Sequence, residues 1–252
     1  MRPSERQTAI TDMVRQQEKV SVDALAVIFD TSPETIRRDL ATLARHGKIQ
    51  KVHGGAVLPR TAAEGPFAQR MRHNVAAKRK IAGLARQLVE PGQTLLVDTG
   101  STTLVFAEEL VTLDDLTVIT NSAEIALGLS DGNSTHQVFL LGGAYHGDNR
   151  QTCGAMALEQ LACFYCDAAF LTVGGLDPAA GASDFKSEEA EMARAMIRRA
   201  GNTILLADHS KLGRSAPFAV CGLDMVSCLV CDNAPEADLR DALEQENVRV
   251  IC

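Results

Sequence analysis

Six polar residues between positions 32 and 53 have the chemistry of a surface that binds double-stranded DNA. Arginine and lysine contact phosphates and guanine edges, and hydroxyl and imidazole groups supply further hydrogen bonds. The set consists of Ser32, Thr35, Arg37, Arg38, Lys51 and His53. Their closeness in the chain predicts a single interface, provided that the local structure turns them to one side.

A helix that begins at Ser32 would position the first four of these residues. Ser32 can accept a hydrogen bond from a free amide at a helix start, and Pro33 suits the first helical position. Gly47 is expected to end the helix. Apolar residues recur inside it at steps of four and three and predict one buried face, which turns the two arginines outward. These are Ile36, Leu40 and Leu43.

The neighbouring segments predict a winged helix-turn-helix unit. A first helix over about 5–16 and a second one beginning near Asp23 precede a turn at 30–32, and in such units the helix after the turn lies in the major groove. Beyond it, Ile49 and Val52 can pair as strand residues before the turn 53–55, which gives a basic wing. The apolar residues assigned to the two earlier helices are Ile10, Met13, Val14, Val22, Leu25, Ile28 and Phe29. An ordinary solvated helix face is the alternative interpretation of the arginine pair.

Charge divides the chain into a basic beginning and an acidic remainder. Residues 1–80 carry a formal charge of +7 and residues 81–252 one of −14, within an overall charge of −7 and a pI of about 5.4. Because counterion release from phosphates drives nucleic-acid binding, the basic part is expected to face DNA. With two tyrosines and no tryptophan, stacking on single-stranded bases is disfavoured.

Three regions are predicted: a DNA-binding domain over 1–58, a linker over 59–77 and a larger domain over 78–252. Within the linker, 61–66 is a run of small residues with Gly65 and Pro66. The basic cluster that follows has two open interpretations, a solvated helix start or a set of phosphate contacts. It contains Arg70, Arg72, Lys78, Arg79 and Lys80.

Beyond residue 78, apolar β-type runs alternate with amphipathic helical stretches over 81–89, 122–129 and 187–200. This alternation predicts an α/β fold, a doubly wound parallel sheet with helices on both faces. The seven predicted strands are 95–98, 116–120, 137–141, 168–173, 203–208, 227–231 and 248–251.

Polar and glycine residues follow successive strands, at the edge where parallel sheets bind ligands. Glycines let an anion approach the backbone, hydroxyl groups donate to it and lysine neutralises it. Each element alone could be a helix cap or a turn, but their repetition predicts a pocket for a phosphorylated or polyhydroxylated small molecule. The residues are Asp98, Gly100, Ser101, Thr102, Thr103, Asn121, Gly142, Gly143, Gly174, Gly175, Asp208, Ser210 and Lys211.

Seven cysteines include two C-x-x-C pairs, at 163–166 and 228–231. The pairs are too far apart for a compact zinc ribbon, and their apolar surroundings favour cysteines packed as small hydrophobes. We therefore expect neither a metal site nor a cofactor. The alternative interpretation of these cysteines is a zinc or redox sensor. The absence of an apolar run of about 18 residues favours a soluble, cytosolic protein.

Several motifs make the chain resemble the DeoR family of bacterial transcriptional repressors over nearly its whole length. The most specific is V-S-V-D-A-L-A-V-I-F-D-T-S-P-E-T-I-R-R-D-L at 20–40. The others are G-K-I-Q-K-V-H-G-G-A at 47–56, D-T-G-S-T-T at 98–103, T-N-S at 120–122, L-G-G at 141–143, S-E-E-A at 187–190 and A-D-H-S-K-L-G-R at 207–214.

The resemblance implies a C-terminal domain similar to ribose-phosphate isomerases and CoA-transferases, a sugar-phosphate or polyol effector, and a homo-oligomer, dimer or tetramer. The S-E-E-A segment adds Glu189 to the effector set. The nearest subgroup resembles glycerol-3-phosphate repressors, so we expect a repressor of a carbohydrate or polyol operon that is released by its effector and is not an enzyme. The alternative is a sugar-phosphate isomerase with an appended DNA-binding module, in which Asp98, Glu189, Asp208 and Lys211 act as acid, base and anion-binding groups.

Overall fold

The computed structural model describes residues 2–17, 19–45, 48–57, 65–131 and 135–252. The chain divides into two compact units, Met1–Ala63 and Glu64–Cys252. The predicted helix end at Gly47 and the predicted linker residues 59–64 lie outside the described residues.

The described residues of the first unit form three helices and a small antiparallel sheet. The helices are α1 (Pro3–Gln17), α2 (Val22–Ile28) and α3 (Pro33–Arg45), and the strands are β1 (Lys19–Ser21), β2 (Gln50–Val52) and β3 (Gly55–Val57). The strand order is β1-β3-β2. The predicted winged helix-turn-helix fold is confirmed, with the addition of β1, which pairs with β3.

Most of the apolar residues that the sequence assigned to the three helices lie in the core of this unit, and Met13 and Phe29 are partly buried against it. Ile28 belongs to α2, as predicted, but is 55% exposed. The reason is the length of α2, which has seven residues and ends at the cap residue Phe29, so that Ile28 occupies its last, outward position. The buried residues are Ile10, Val14, Val20, Val22, Leu25, Ala26, Ile36, Leu40, Leu43, Ile49 and Ala56.

A seven-stranded parallel sheet forms the centre of the second unit, and all seven predicted strands belong to it. The strands are β4 (Thr94–Val97), β5 (Thr117–Thr120), β6 (Gln137–Leu140), β9 (Cys166–Leu171), β12 (Ala200–Ala207), β14 (Cys228–Cys231) and β15 (Arg249–Ile251). Their order is β15-β14-β12-β9-β4-β5-β6.

Helices cover both faces of the sheet, as the alternation predicted. On one face Phe106 stacks on Phe170 with ring centroids 4.4 Å apart, within an apolar cluster that also contains Ile81. The other face carries a second cluster that includes Met196 and Leu243. The helices are α5 (Val75–Arg86), α6 (Ser101–Leu110), α7 (Ala123–Ser130), α8 (Ala155–Leu161), α9 (Ser187–Ile197) and α10 (Ala237–Gln245).

Short antiparallel strands lie outside this sheet and were not predicted. β7 (Ala144–His146) pairs with β8 (Gln151–Cys153), while β11 (Gly181–Asp184) pairs with both β10 (Gly175–Asp177) and β13 (Phe218–Cys221). Each has three or four residues, which is too short for an alternating pattern to become visible.

The range assigned to the linker differs from the structure in its second half. A short helix, α4 (Phe67–Arg70), carries the buried side chain of Phe67, and α5 begins at Val75. Among the described residues, no helix combines the length and the apolar character needed to span a membrane.

Candidate functional site

The start of α3 is fixed by its own side chains. The Ser32 hydroxyl accepts a hydrogen bond from the amide of Thr35 at 3.2 Å, and its oxygen lies 2.9 Å from the Thr35 hydroxyl. This is the cap that the sequence predicted. It sets the direction in which the first turn of α3 leaves the preceding loop.

Arg37 and Arg38 of α3 are exposed on the side away from the core. Arg37 forms an ion pair with Glu34 on the same helix, with 3.3 Å between Nη1 and Oε2. The side chain of Arg38 forms no ion pair with any described residue. Because exposed pairs such as Arg37–Glu34 contribute about 0–1 kcal/mol, both guanidinium groups are available to phosphates and bases.

The wing presents Lys51 and His53, which are both exposed. Its turn needs Gly54, which has a φ of +75°, and the Gly54 carbonyl accepts a hydrogen bond from the amide of Val22 at 2.9 Å. A Cβ on Gly55 would lie 2.0 Å from the Val20 carbonyl oxygen. Close backbone packing against β1 and α2 therefore holds the wing in position.

A buried contact between α1 and α3 was not predicted. Asp39 is 5% exposed and accepts hydrogen bonds from Arg6 Nε at 2.6 Å and from Gln7 Nε2 at 2.8 Å. The only sequence signal was an acid on the apolar side of α3, between Ile36 and Leu40. The contact anchors the helix that carries the two arginines.

In the second unit, the chain order of the strands reverses between β4 and β9, and crevices of parallel sheets lie at such points. The segment after β4 remains close to β9, since the Asp98 amide donates to the Phe170 carbonyl at 3.1 Å. A Cβ on Gly100 would lie 2.3 Å from the Thr172 hydroxyl oxygen. Gly100 is therefore required where the two strand ends meet.

The strand-end residues of β4 and β5 are joined by hydrogen bonds. The Asn121 side chain accepts from the Thr99 amide at 3.0 Å and donates to the Thr152 carbonyl at 3.5 Å. Thr99 in turn donates to the Asn149 carbonyl at 3.4 Å. Asn121 is 1% exposed, so it fixes the geometry of these loops from within.

Glu189, at the start of α9, is the centre of a second group of contacts. Its Oε1 accepts from the side chains of Asn149 and Gln151, the latter at 3.1 Å, and lies 3.2 Å from Lys186 Nζ. Asn149 and Gln151 were not predicted as site residues. They come from the β7–β8 hairpin, which the sequence pattern did not reveal.

Three carboxyl groups lie near one another at this edge of the sheet. Burial raises the pKa of Asp98 well above its ordinary value, and the negative charges of Asp184 and Glu189 raise it further. Hydrogen bonds from Thr99 and Asn121 act in the opposite direction and are outweighed. A buried acid of this kind can donate a hydrogen bond to a ligand, or accept one, from inside the crevice.

The residues after β12 form another group around Asp208. Its Oδ1 accepts from the Ser210 amide at 3.0 Å and from Asn74 Nδ2 at 3.2 Å. Burial acts to raise the pKa of Asp208, but the Ser210 hydrogen bonds and the charges of Lys211 and Lys78 outweigh burial and lower it. Asp208 is therefore held as a carboxylate beside two lysines.

The basic cluster around the start of α5 connects the two groups. Lys78 is 3% exposed and its Nζ donates to the carbonyls of Arg70 and His73, so a solvated position for this lysine was wrong. Arg70 Nη2 donates to Asn149 Oδ1 at 3.0 Å. Lys80 Nζ donates to the Asp232 carbonyl at 2.7 Å. Arg70, Lys78 and Lys80 therefore form hydrogen bonds within the second unit.

The hydroxyl residues after Gly100 form the first turn of α6. Ser101, Thr102 and Thr103 are all buried, and Thr103 Oγ1 donates to the Gly100 carbonyl at 3.1 Å. No side chain caps the start of this helix. Helix N-termini of this kind offer backbone amides to an anion.

The paired glycines at two further strand ends pack closely against neighbouring segments. The Gly142 amide donates to Gln160 Oε1 at 2.7 Å, and a Cβ on Gly143 would lie 2.5 Å from the Cys153 carbonyl oxygen. A Cβ on Gly174 would meet the Phe185 ring, and one on Gly175 the backbone of Arg214. These contacts give each glycine a packing role, in addition to the predicted ligand contact.

Three of the four cysteines in the two C-x-x-C pairs are buried, as the sequence predicted, and the fourth, Cys163, is not. Cys228 and Cys231 lie on one strand and belong to the apolar clusters on opposite faces of the sheet, so they do not face a common ligand. Cys163 is exposed, whereas Cys166 is buried. Neither pair offers two thiols on one side of an element.

Comparison with known proteins gives a family match for each of the two units. Residues 6–62 match a family model described as a DeoR-like helix-turn-helix domain, and residues 73–233 match the DeoR C terminal sensor domain. The chain is 34% identical to the HTH-type transcriptional regulator GolR of Listeria innocua over 92% of each chain. It is 29% identical to the glycerol-3-phosphate regulon repressor of Escherichia coli over 99% of each chain.

Two solved structures match parts or most of the chain at low sequence identity. The translation initiation factor eIF-2B of Pyrococcus horikoshii covers 96% of this chain and 86% of its own, at 14% identity and a TM-score of 0.50. Ribose 5-phosphate isomerase A of Methanocaldococcus jannaschii covers 55% of each chain, at 20% identity and a TM-score of 0.41. The implied similarity to CoA-transferases stays a prediction. From its helix-turn-helix unit to its C-terminal sensor domain, the chain belongs to the DeoR family of transcriptional regulators.

Proposed function

We propose that this regulator is a repressor whose operator DNA is released when a phosphorylated sugar or polyol binds the second unit. The observation that supports the proposal is the buried polar network at the carboxyl ends of β4 and β5, next to the point where the strand order reverses. Sugar phosphates need an anion site and acceptors for hydroxyl groups. The uncapped start of α6 and Lys211 supply the first, and Asp98 and Glu189 supply the second.

The name of the Escherichia coli relative, a glycerol-3-phosphate regulon repressor, supports a phosphorylated polyol as one candidate effector. The DNA contacts are assigned to Thr35, Arg37 and Arg38 in the major groove and to Lys51 and His53 at the backbone or minor groove. Ser32 positions the helix and lies beside Thr35. We place this activity in the cytoplasm, where operator DNA is accessible.

The repressor is proposed to act as a homodimer or homotetramer, because helix-turn-helix proteins pair two half-sites across a symmetry axis. Large apolar side chains exposed on the second unit support self-association. They include Tyr165 at 83%, Met156 at 64%, Leu127 at 60% and Tyr145 at 60% exposure. Sedimentation equilibrium of the purified chain distinguishes these states from a monomer.

The deciding experiment measures linkage between the two sites. Operator sequences are selected from random DNA, and effectors from a thermal-shift screen of sugar and polyol phosphates, since a ligand at 100 times its Kd stabilises the folded state by about 2.7 kcal/mol. The effector should weaken operator binding, and operator should weaken effector binding by the same factor. Equal effector affinity with and without operator would refute the release mechanism.

Turnover by the same residues is the alternative function. The raised pKa of Asp98 beside Glu189 is the observation that favours it, because a general acid needs such a shift. We propose binding without catalysis, since a shared fold does not confer activity. Conversion of pentose or hexosamine phosphates by the purified chain, lost in Glu189→Ala, would establish the enzyme instead.

A further inference from the structure

Three side chains with different metal-binding atoms meet at one end of the β7–β8 hairpin. His146, Cys153 and Glu188 each offer one ligand atom, and these atoms all lie within 4.8 Å of one another. None of the three belongs to the effector set. Cys153 follows His146 by seven positions and Glu188 follows Cys153 by 35 positions. The three residues therefore do not form a recognisable sequence motif.

Two of the three separations between these ligand atoms are close to those around tetrahedral zinc. With bonds of about 2.0–2.3 Å to nitrogen, oxygen and sulfur, ligand atoms around zinc lie about 3.3–3.7 Å apart. Here His146 Nε2 lies 3.8 Å from Glu188 Oε2, and Cys153 Sγ lies 3.7 Å from the same oxygen. The ligand atoms of His146 and Cys153 lie within 4.8 Å of each other, so a rotation of the half-exposed His146 side chain would bring all three atoms to one ion.

The backbone holds the three residues in this arrangement. His146 pairs with Gln151 and Ala144 with Cys153, so His146 and Cys153 are diagonal neighbours on one face of the hairpin. That face packs on the first turn of α9, because Gln151 donates to Glu189 and Cys153 to Glu188. The ligands therefore come from three elements that already touch.

Their exposure leaves a path for an ion. Cys153 is 4% exposed, whereas the side chains of His146 and Glu188 are 41% and 52% exposed. The thiol is at the base of the cluster and the other two ligands are at its mouth, with Lys186 engaged by Glu189 nearby. One coordination position would face solvent.

We propose that His146, Cys153 and Glu188 form a zinc site with three protein ligands and a water molecule in the fourth position. The thiolate and imidazole select zinc over magnesium or calcium, which prefer oxygen ligands. Binding replaces the thiol proton of Cys153 with the ion and releases that proton to solvent, without oxidation. The bound ion would join the hairpin to α9, one residue from Glu189.

The experiment uses the full chain after treatment with a chelator. Equilibrium dialysis against Zn²⁺ should give one ion per chain, and Co²⁺ should give a thiolate charge-transfer band together with the visible bands of tetrahedral cobalt. Glu188→Gln should weaken zinc binding at least about 100-fold, more than loss of an outer partner does. Glu191→Gln, at an exposed position on the same helix, is the matched control.

A second pair of variants tests the thiol. Cys153→Ser should remove the cobalt charge-transfer band, while Cys163→Ser, at an exposed cysteine, should keep it. If Cys153→Ser does not fold, the test of the proposal is Glu188→Gln, which should fold because the Glu188 side chain is half exposed. The proposal fails if the chain binds no zinc, if Glu188→Gln binds it with unchanged affinity, or if the ion is lost only in Cys231→Ser.

Discussion

Arg6 Nε lies 2.6 Å from Asp39 Oδ2, so a buried ion pair joins α1 to α3 one residue away from Arg38. The side chains of the two partners are 12% and 7% exposed. Gln7 donates to the other oxygen of Asp39 at 2.8 Å. The orientation of the proposed recognition helix thus depends on a contact that does not itself touch DNA.

Asp39→Ala should destabilise the first unit by about 3–5 kcal/mol, because it leaves the Arg6 charge buried without its partner. Glu34→Ala, which breaks the exposed pair with Arg37, should cost about 0–1 kcal/mol. Hydrogen exchange of α1 and α3 amides in the full chain measures both changes. Equal costs for the two variants would contradict the buried role of Asp39.

Arg38→Ala should weaken operator binding by about 1–3 kcal/mol and relax the preference at one base position, as expected when a base contact is lost. Arg45→Ala, at an exposed arginine in the last turn of α3, is the matched control and should have a smaller effect on sequence preference. Fluorescence anisotropy with operator variants provides the measurement. Unchanged binding by Arg38→Ala would remove this arginine from the interface.

Lys51→Ala should weaken binding to all DNA sequences about equally and reduce the slope of log K against log salt by about 1, because one phosphate contact is lost. Titrations at several salt concentrations reveal the slope. A sequence-dependent loss with an unchanged slope would mean that Lys51 reads bases and not phosphates.

Asp98→Asn should raise the free energy of unfolding at neutral pH. The pKa of Asp98 is raised in the folded state above its ordinary value of 3.8. Between these two pKa values the folded chain binds more protons than the unfolded chain, so it loses stability as pH rises through this range. The advantage of the asparagine variant should therefore shrink as pH falls toward 3.8. Denaturant titrations from neutral to mildly acidic pH test this, and a gap that widens on acidification would reverse the assigned direction.

Alkylation of the native chain should modify Cys163 and Cys252 first, since these two thiols are exposed. Burial raises the pKa of Cys166 and Cys221 to about 11, and burial with Cys252 nearby raises that of Cys231 to about 12. Little reactive thiolate forms at these positions at neutral pH. Mass spectrometry of partly alkylated chain gives the order, and rapid modification of Cys231 would favour the redox-sensor alternative.

The sequence by itself determined the two-unit organisation, the winged helix-turn-helix and the seven parallel strands. These features are local, since the cap at Ser32, the spacing of Ile36, Leu40 and Leu43, and each apolar strand run depend on residues close in the chain. The same reasoning assigned a packing role to the C-x-x-C pairs, which holds for Cys166, Cys228 and Cys231 but not for the exposed Cys163. It did not predict the exposure of Ile28, which lies at the end of the short helix α2.

Only the tertiary structure decided which distant polar groups meet. Asp39 binds Arg6 on another helix, and Glu189 accepts hydrogen bonds from Asn149 and Gln151. Lys78 is buried although it is the first residue of a basic run in the sequence. The cluster of His146, Cys153 and Glu188 is of the same kind, since it needs a hairpin of three-residue strands packed on the start of a helix. Contacts between residues so far apart in the sequence depend on how helices and strands pack. Local periodicity predicts each helix or strand but not the packing between them.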